Sequence, residues 1–165
     1  MVLLRSAVRI LPTLPAAHSA LGVLLDERKR GAEAISHHLR AVQLIVEQEH
    51  DLPGVPRGMS GLSSSSEEEA GGSGGTYSAS AQARYNLALC QHRLGHIEAA
   101  LEAYRRALED APQSADAHAG VGVALWQLGQ PVEAAAELRR ALVLKPAHEQ
   151  ARVNLDRLLT SGDAV

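Results

Sequence analysis

One segment with a helical pattern occurs twice in this chain, at a spacing of 34 residues. The first copy, RYNLALCQHRLGHIEAALEAYRRALEDAP, begins at Arg84, and the second, HAGVGVALWQLGQPVEAAAELRRALVLKP, begins at His118. Each copy is typical of two short amphipathic helices that are joined at a single Gly. A fixed period of this length indicates repeated units that stack and share one continuous core.

Small and turn-forming residues occupy the same columns in both copies. A small residue on each helix lets two backbones approach, a Gly ends the first helix in left-handed geometry, and a Pro prevents the second helix from continuing. The matched pairs are Ala88 with Gly122, Ala100 with Ala134, Ala107 with Ala141, Gly95 with Gly129, and Pro112 with Pro146.

These columns resemble those of the tetratricopeptide repeat, a helical hairpin of about 34 residues. Two departures are visible: Arg84 and His118 replace the large aromatic residue of the first helix, and Gln91 replaces a bulky apolar residue. The resemblance implies an all-α solenoid of TPR-like hairpins with a right-handed superhelix, and the composition adds a disordered Gly/Ser/Glu-rich insert.

The register extends in both directions from the two hairpins. It predicts a half hairpin and a degenerate hairpin over 1–50, repeats over 81–114 and 115–148, and a C-terminal capping helix over 149–162, where Asp156 takes the place of a small contact residue. In the degenerate hairpin Lys29 replaces the turn Gly, and Val46 replaces the terminal Pro, so its second helix should be longer. The half hairpin suggests that the chain begins inside a longer solenoid.

A linker is predicted over 51–80, where half of the residues are Gly or Ser and no column of the repeat can be found. Such a composition buries too little apolar surface to become ordered. The solenoid either continues across this linker or is divided by it into two small domains. Ser64, Ser65 and Ser66 each precede a Glu by three residues, which is typical of sites for acidophilic kinases. The alternative is an ordinary solvated linker.

The composition excludes several functions. A net charge of -3 does not favour nucleic-acid binding, no apolar run is long enough to span a membrane, and the single Cys90 cannot form an internal disulfide. Cys90 is interpreted as a small core residue. The histidines lack the spacing of a metal site, and no catalytic arrangement or cofactor site is visible, so we expect no enzyme activity, metal or cofactor.

A cytoplasmic location is expected, with a mitochondrial one as the alternative because Arg5 and Arg9 precede the first acidic residue.

A binding surface remains as the expected functional feature. The resemblance places the first helices of the hairpins along a groove that holds a peptide or a helix of a partner protein. The predicted groove residues are Tyr85, Asn86, Leu89, His92, Arg93, Val123, Trp126, Gln127, Asn154 and Arg157.

Asn86, Gly120 and Asn154 share one column of this groove, and an Asn amide can pair with a peptide backbone. Asn86 could instead form a hydrogen bond inside its own hairpin, and Trp126 could belong to the core. Some members of the family hold a C-terminal carboxylate with cationic and amide side chains. Those columns contain Tyr85, Leu89, Gly120 and Gln150 here, which disfavours that ligand.

The sequence therefore predicts a non-enzymatic scaffold that binds a protein or peptide segment. One alternative is the regulatory arm of a larger enzyme, such as a glycosyltransferase, whose catalytic part lies outside this chain. Another is self-association through the uncapped N-terminal helix, whose apolar face would be exposed.

Overall fold

The fold was analysed in a computed structural model, which describes residues 6, 8–50 and 78–161. From residue 15 onward, helices occupy nearly all of these ranges, and none of the described residues lies in a β-strand. The helices are α1 (Pro15–Glu27), α2 (Gly31–His50), α3 (Ala79–Arg93), α4 (Ile97–Asp110), α5 (Ala115–Gln127), α6 (Pro131–Leu144) and α7 (Glu149–Thr160). Residues 8–10, just before α1, are also helical.

The helices form three hairpins, α1 with α2, α3 with α4, and α5 with α6, and α7 stacks on α6 at the end. Each hairpin also packs against the next, so the predicted all-α solenoid is confirmed. In α7, Ala151 and Leu158 are fully buried, while Asp156 is exposed, since none of the described helices packs over it.

Close approach of the two helices of a hairpin depends on the predicted small residues. Ala34, Ala100 and Ala134 are completely buried in the three second helices. A Cβ atom added to Gly122 of α5 would lie 2.8 Å from Leu138 Cγ and 3.1 Å from the carbonyl oxygen of Ala134. Any side chain larger than hydrogen would therefore push the two helices of that hairpin apart.

The three hairpin turns share one backbone geometry. Gly95 and Gly129 have φ angles of 82° and 75°, as the turn columns predicted. Lys29, at the equivalent place in the first hairpin, has a φ of 59°. A residue with a Cβ atom is strained in this left-handed region. The backbone strain at Lys29 therefore lowers the stability of the first turn, and the other two turns lack this strain.

The first hairpin packs directly on α3, so the solenoid is continuous across the predicted linker. The Cys90 thiol donates to the Gly31 carbonyl oxygen at 3.7 Å, and the Arg93 guanidinium forms an ion pair with Asp26. A Cβ atom on Gly31 would lie 2.5 Å from Leu94 Cδ2, which shows how closely the hairpins meet. Cys90 is fully buried there, and burial together with the nearby Asp26 carboxylate raises the pKa of its thiol to about 11.

The boundaries of the predicted linker need one correction. Helix α3 begins two residues earlier than predicted, because Ser78 accepts a hydrogen bond from the Ala81 N–H at 3.1 Å and caps the helix. Ser80 lies inside the helix, and its hydroxyl donates to Asp110, which also pairs with Arg84. Residues 51–77, with the predicted kinase sites Ser64, Ser65 and Ser66, lie outside the described residues.

The second helix of the first hairpin is longer than its counterparts, as Val46 in the Pro column predicted. Helix α2 has 20 residues, whereas α4 and α6 have 14 each. A further equivalence lies upstream: the ring of His18 bonds the Pro12 carbonyl oxygen at 3.2 Å, and that of His118 bonds the Pro112 carbonyl oxygen at 3.1 Å. This agrees with the register of the half hairpin, in which Pro12 corresponds to Pro112 and follows the end of a second helix. Half of that segment, residues 1–5 and 7 of 1–12, lies outside the described residues, so the half hairpin stays a prediction.

Replacing Lys29 with Gly should stabilise the protein. Glycine has no Cβ atom and adopts positive φ without strain, so the free energy of unfolding should rise by about 1 kcal/mol in urea titrations. Lys29→Ala is the matched control, because it removes the charge and keeps the Cβ atom. Equal stability of the two variants would contradict strain as the cause.

The stability of the first hairpin should fall in mild acid through His38. This side chain is 1% exposed and lies against Gly22. Burial lowers its pKa, with the adjacent His37 acting in the same direction and Asp26 opposing it. Below about pH 6.5 the His38 ring binds a proton more readily in the unfolded chain than in the folded one. The free energy of unfolding should therefore decrease as the pH drops below this value.

Denaturant unfolding at pH 7 and pH 5 measures this effect. The His38→Leu variant should lose less stability between the two pH values than the parent. Part of the loss will persist, since burial also lowers the pKa of His92. The same loss in parent and variant would show that His38 does not contribute.

Candidate functional site

The four first helices α1, α3, α5 and α7 carry one row of equivalent positions on the side away from the second helix of the same hairpin. In a helix, residues at i, i+4, i+7 and i+11 share a face. We call this surface the groove face. It contains Ala16, Ala20, Val23 and Glu27 of α1; Gln82, Asn86, Leu89 and Arg93 of α3; Asp116, Gly120, Val123 and Gln127 of α5; and Gln150, Asn154, Arg157 and Ser161 at α7. Neighbouring first helices contact one another, so the face is continuous.

Two pairs of amide side chains lie at equivalent positions on this face. Gln82 donates to the Asn86 side-chain oxygen at 3.0 Å, and Gln150 donates to the Asn154 side-chain oxygen at 3.2 Å. The oxygen of Asn86 is therefore used inside its own helix, as one of the two interpretations proposed. The Nδ2 groups of both Asn side chains form no hydrogen bond within the described part of the chain.

The Asn column is interrupted at Gly120 for a structural reason that sequence analysis missed. Tyr104 of α4 is 2% exposed and packs against this Gly. A Cβ atom on Gly120 would lie only 2.6 Å from Tyr104 Cε1, so an Asn cannot be accommodated. Burial raises the pKa of Tyr104 well above its usual range, and the nearby Tyr85 phenol acts in the same direction. The sequence signal for this contact was the large aromatic residue Tyr104 in one helix together with a Gly inside the next helix.

Three predicted site residues pack between helices beside the groove face. The ring centroids of Tyr85 and His92 lie 5.7 and 6.3 Å from that of Tyr104. Burial lowers the pKa of His92, while a hydrogen bond with Gln127 opposes the shift. Trp126 is half-buried and packs against the hydrophobic core, which agrees with the core interpretation of this residue.

A small pocket of about 70 Å³ opens between α3 and α5. Gln82, Tyr85 and Asp116 contribute to its lining, and only Tyr85 was among the predicted site residues. The Asp116 carboxylate lies 3.1 Å from the His148 ring, which in turn caps α7 by accepting from the Ala151 N–H. Asp116 therefore links the middle of the groove face to the start of the last helix.

The described residues hold no group of three or more His, Cys, Asp or Glu side chains that could bind a metal ion. His37 and His38 face different neighbours: His37 bonds the ring of His18 at 3.1 Å, and His38 packs against Gly22. As for membrane association, no helix in the described ranges is both long and apolar enough to cross a bilayer.

The fold and the groove face define a helical repeat protein of the kind that presents an extended binding surface. A family model described as tetratricopeptide repeat matches residues 75–114 and 92–149. Residues 75–149 thus belong to the tetratricopeptide repeat family. A comparison with curated proteins found no match.

Solved structures of TPR proteins share this fold. The APC/C hetero-tetramer Cut9-Hcn1 matches 94% of this chain with a TM-score of 0.73 and 20% identity, and this chain spans 25% of that one. The first TPR of Spaghetti (RPAP3), bound to the HSP90 peptide SRMEEVD, matches 89% of this chain and 91% of its own, with a TM-score of 0.67 and 16% identity. The Arabidopsis OM64 TPR domain matches 87% of this chain and 93% of its own, with a TM-score of 0.63 and 21% identity.

Replacing Gly120 with Ala should destabilise the protein, although Ala is normally the better helix former by about 1 kcal/mol. The new Cβ atom overlaps the Tyr104 ring, and overpacking of this kind typically costs about 1–3 kcal/mol. Chemical unfolding gives the sign of the change.

The Tyr104→Leu background supplies the control for this substitution. With the ring removed, Gly120→Ala should become neutral or stabilising. If the substitution has the same effect in both backgrounds, the contact between Tyr104 and Gly120 does not explain the missing Asn.

Proposed function

We propose that this chain is a non-enzymatic scaffold that binds an extended peptide segment of a partner protein on the groove face. The observation that carries the proposal is the pair of equivalent amide arrangements, Gln82 with Asn86 and Gln150 with Asn154. Each arrangement retains amide donors beyond its internal hydrogen bond, and a peptide backbone needs such partners when it leaves water.

The distribution of exposure supports the same surface. Gln82, Arg93, Gln127 and Gln150 are exposed on the groove face, while Leu89 and Val123 are half-buried between them. Apolar side chains with polar neighbours are typical of a surface that buries a ligand and fixes its orientation. Such recognition needs no catalytic group.

The proposed ligand differs from the one in the Spaghetti structure. The HSP90 peptide bound there, SRMEEVD, ends in Asp. In this chain Tyr85, Leu89, Gly120 and Gln150 occupy the columns that hold a terminal carboxylate in clamp-type repeats. Because these columns carry no cation, we propose a ligand that is bound mainly through its backbone and apolar side chains.

Substitution of the two Asn residues tests the proposal. A photo-cross-linking residue at Gln127 would first recover the bound segment, and a labelled peptide of that segment would then be titrated. Asn86→Ala should weaken binding by ~1–2 kcal/mol, because a donor to the peptide backbone is lost and its partner stays unpaired. Asn154→Ala should act in the same way.

Gln43→Ala on α2 is the matched control, since Gln43 is an exposed amide outside the groove face. It should leave the affinity unchanged, and circular dichroism should confirm that all variants are folded. Unchanged affinity in the Asn86→Ala/Asn154→Ala double variant would remove the groove face as the binding site.

A further inference from the structure

The groove face carries a column of residues that points to a particular kind of peptide. We infer that it selects an extended peptide with an apolar side chain at every third position, followed three residues later by an acidic group. This inference rests on the proposed function, because it specifies the ligand of the same surface. The column consists of Val23, Leu89, Val123 and Arg157, one residue from each first helix.

The first three residues of the column form an apolar stripe across α1, α3 and α5. Val23 is 40% exposed, and Leu89 and Val123 are half-buried. All three occupy the same register position, and the helices that carry them contact one another in order. The stripe therefore offers one apolar contact per repeat, with exposed polar residues beside it.

The spacing of the helices selects the conformation of the ligand. Directly packed helices lie about 8–10 Å apart, and the first helices meet at only a few points, so their separation is at least of this order. A polyproline II peptide advances about 9 Å in the three residues of one turn, so residues at i, i+3 and i+6 project on one side at matching intervals. A β-strand places side chains on one side about every 7 Å, which would lose register over three helices.

The polar end of the column supplies charge complementarity. Arg157 is exposed, and its guanidinium forms no ion pair with any carboxylate of the described residues. Of the other charged side chains on the groove face, Arg93 is paired with Asp26, and the Asp116 carboxylate lies 3.1 Å from the His148 ring. An acidic group at position i+9 of the peptide would reach Arg157, and an unpaired Arg forms strong, often bidentate, hydrogen bonds with a carboxylate.

The amide pairs fit a ligand in this conformation. A polyproline II backbone has no internal hydrogen bonds, so its N–H and C=O groups need partners from the surface. Asn86 and Asn154 lie one helical turn before Leu89 and Arg157 on the same face, where their amides can provide these partners.

Fluorescence anisotropy with synthetic peptides tests the pattern. The first probe is a labelled, C-terminally amidated 14-residue peptide with Leu at i, i+3 and i+6, Glu at i+9, and Ser, Pro or Gln elsewhere. The second has the same composition with the Leu and Glu positions scrambled. The patterned peptide should bind at least about tenfold more tightly, a difference that corresponds to about 1.4 kcal/mol. Equal affinity for the two peptides would overturn the inference.

A charge exchange tests the position of the acidic group. Arg157→Glu should weaken the patterned peptide about tenfold or more, and replacing the Glu of the peptide with Lys should restore binding to this variant. Arg157→Gln gives a second, uncharged variant, and Arg139→Glu on α6 is the control for a change in net charge. An unchanged affinity of both Arg157 variants would contradict the role of this residue.

A third peptide separates the two sources of an acidic group. It ends at position i+9 in a neutral residue with a free terminal carboxylate. If the Glu-containing peptide responds to Arg157→Glu and this third peptide does not, the groove face recognises an acidic side chain within the peptide, whereas a response of the third peptide alone would overturn that assignment. A response to neither would overturn the inference.

Failure of the inferred peptide pattern can be distinguished from failure of the proposed function. If the recovered partner segment loses affinity in the Asn86→Ala/Asn154→Ala variant but patterned and scrambled peptides bind alike, the groove face binds peptides and the pattern is wrong. If the partner segment is also insensitive to both Asn substitutions, the binding site itself lies elsewhere.

Discussion

The contact between the two helices of each hairpin is the interaction on which the rest of the structure depends. In α5 the absence of a side chain at Gly122 allows the backbone carbonyl of Ala134 and the side chain of Leu138 to approach. In the first hairpin Gly22 provides the same space for the ring of His38. Because the second helices lie close behind the first, the opposite sides of the first helices are left to form a continuous face. The groove face is thus a consequence of the small residues on its reverse side.

Much of this arrangement could be predicted from the sequence, because the determining residues are small, turn-forming or apolar and recur at a fixed interval. Gly95 and Gly129 required a left-handed turn, and Ala100 and Ala134 required close packing. Even the longer α2 followed from a single missing Pro. These features are local or periodic, so they can be read from one chain without knowledge of its three-dimensional contacts.

Other features depend on pairs of residues that periodicity does not connect. The space that Tyr104 needs at Gly120 involves a second helix and the following first helix, and its cause is visible only when both are in place. The groove residues Gln82 and Asp116 were missed because their role depends on neighbours from other positions. Continuity across the linker could not be predicted either, since it depends on contacts such as that between Cys90 and Gly31.

Polar pairs occupy the position where the family usually places a large aromatic residue. His18 bonds His37, Arg84 pairs with Asp110, and His118 lies 2.6 Å from the Glu137 carboxylate. Each pair connects the first helix of a hairpin with its second helix, so hydrogen bonds replace part of the apolar contact. Hydrogen bonds are directional, whereas apolar packing is not, so these pairs also fix the rotation of one helix against the other.

The stacking of the first hairpin on α3 has a consequence for how this protein can change. Helix α2 ends at His50, the next described residue is Ser78, which caps α3, and these two helices pack against each other. The entropy of closing such a connection grows only slowly with its length, by about 0.6 kcal/mol for each doubling. A longer flexible connection at this point would therefore change the stability of the stacked helices little. The solenoid can gain or exchange sequence at this point while its groove face stays intact, which separates the evolution of the connection from that of the binding surface.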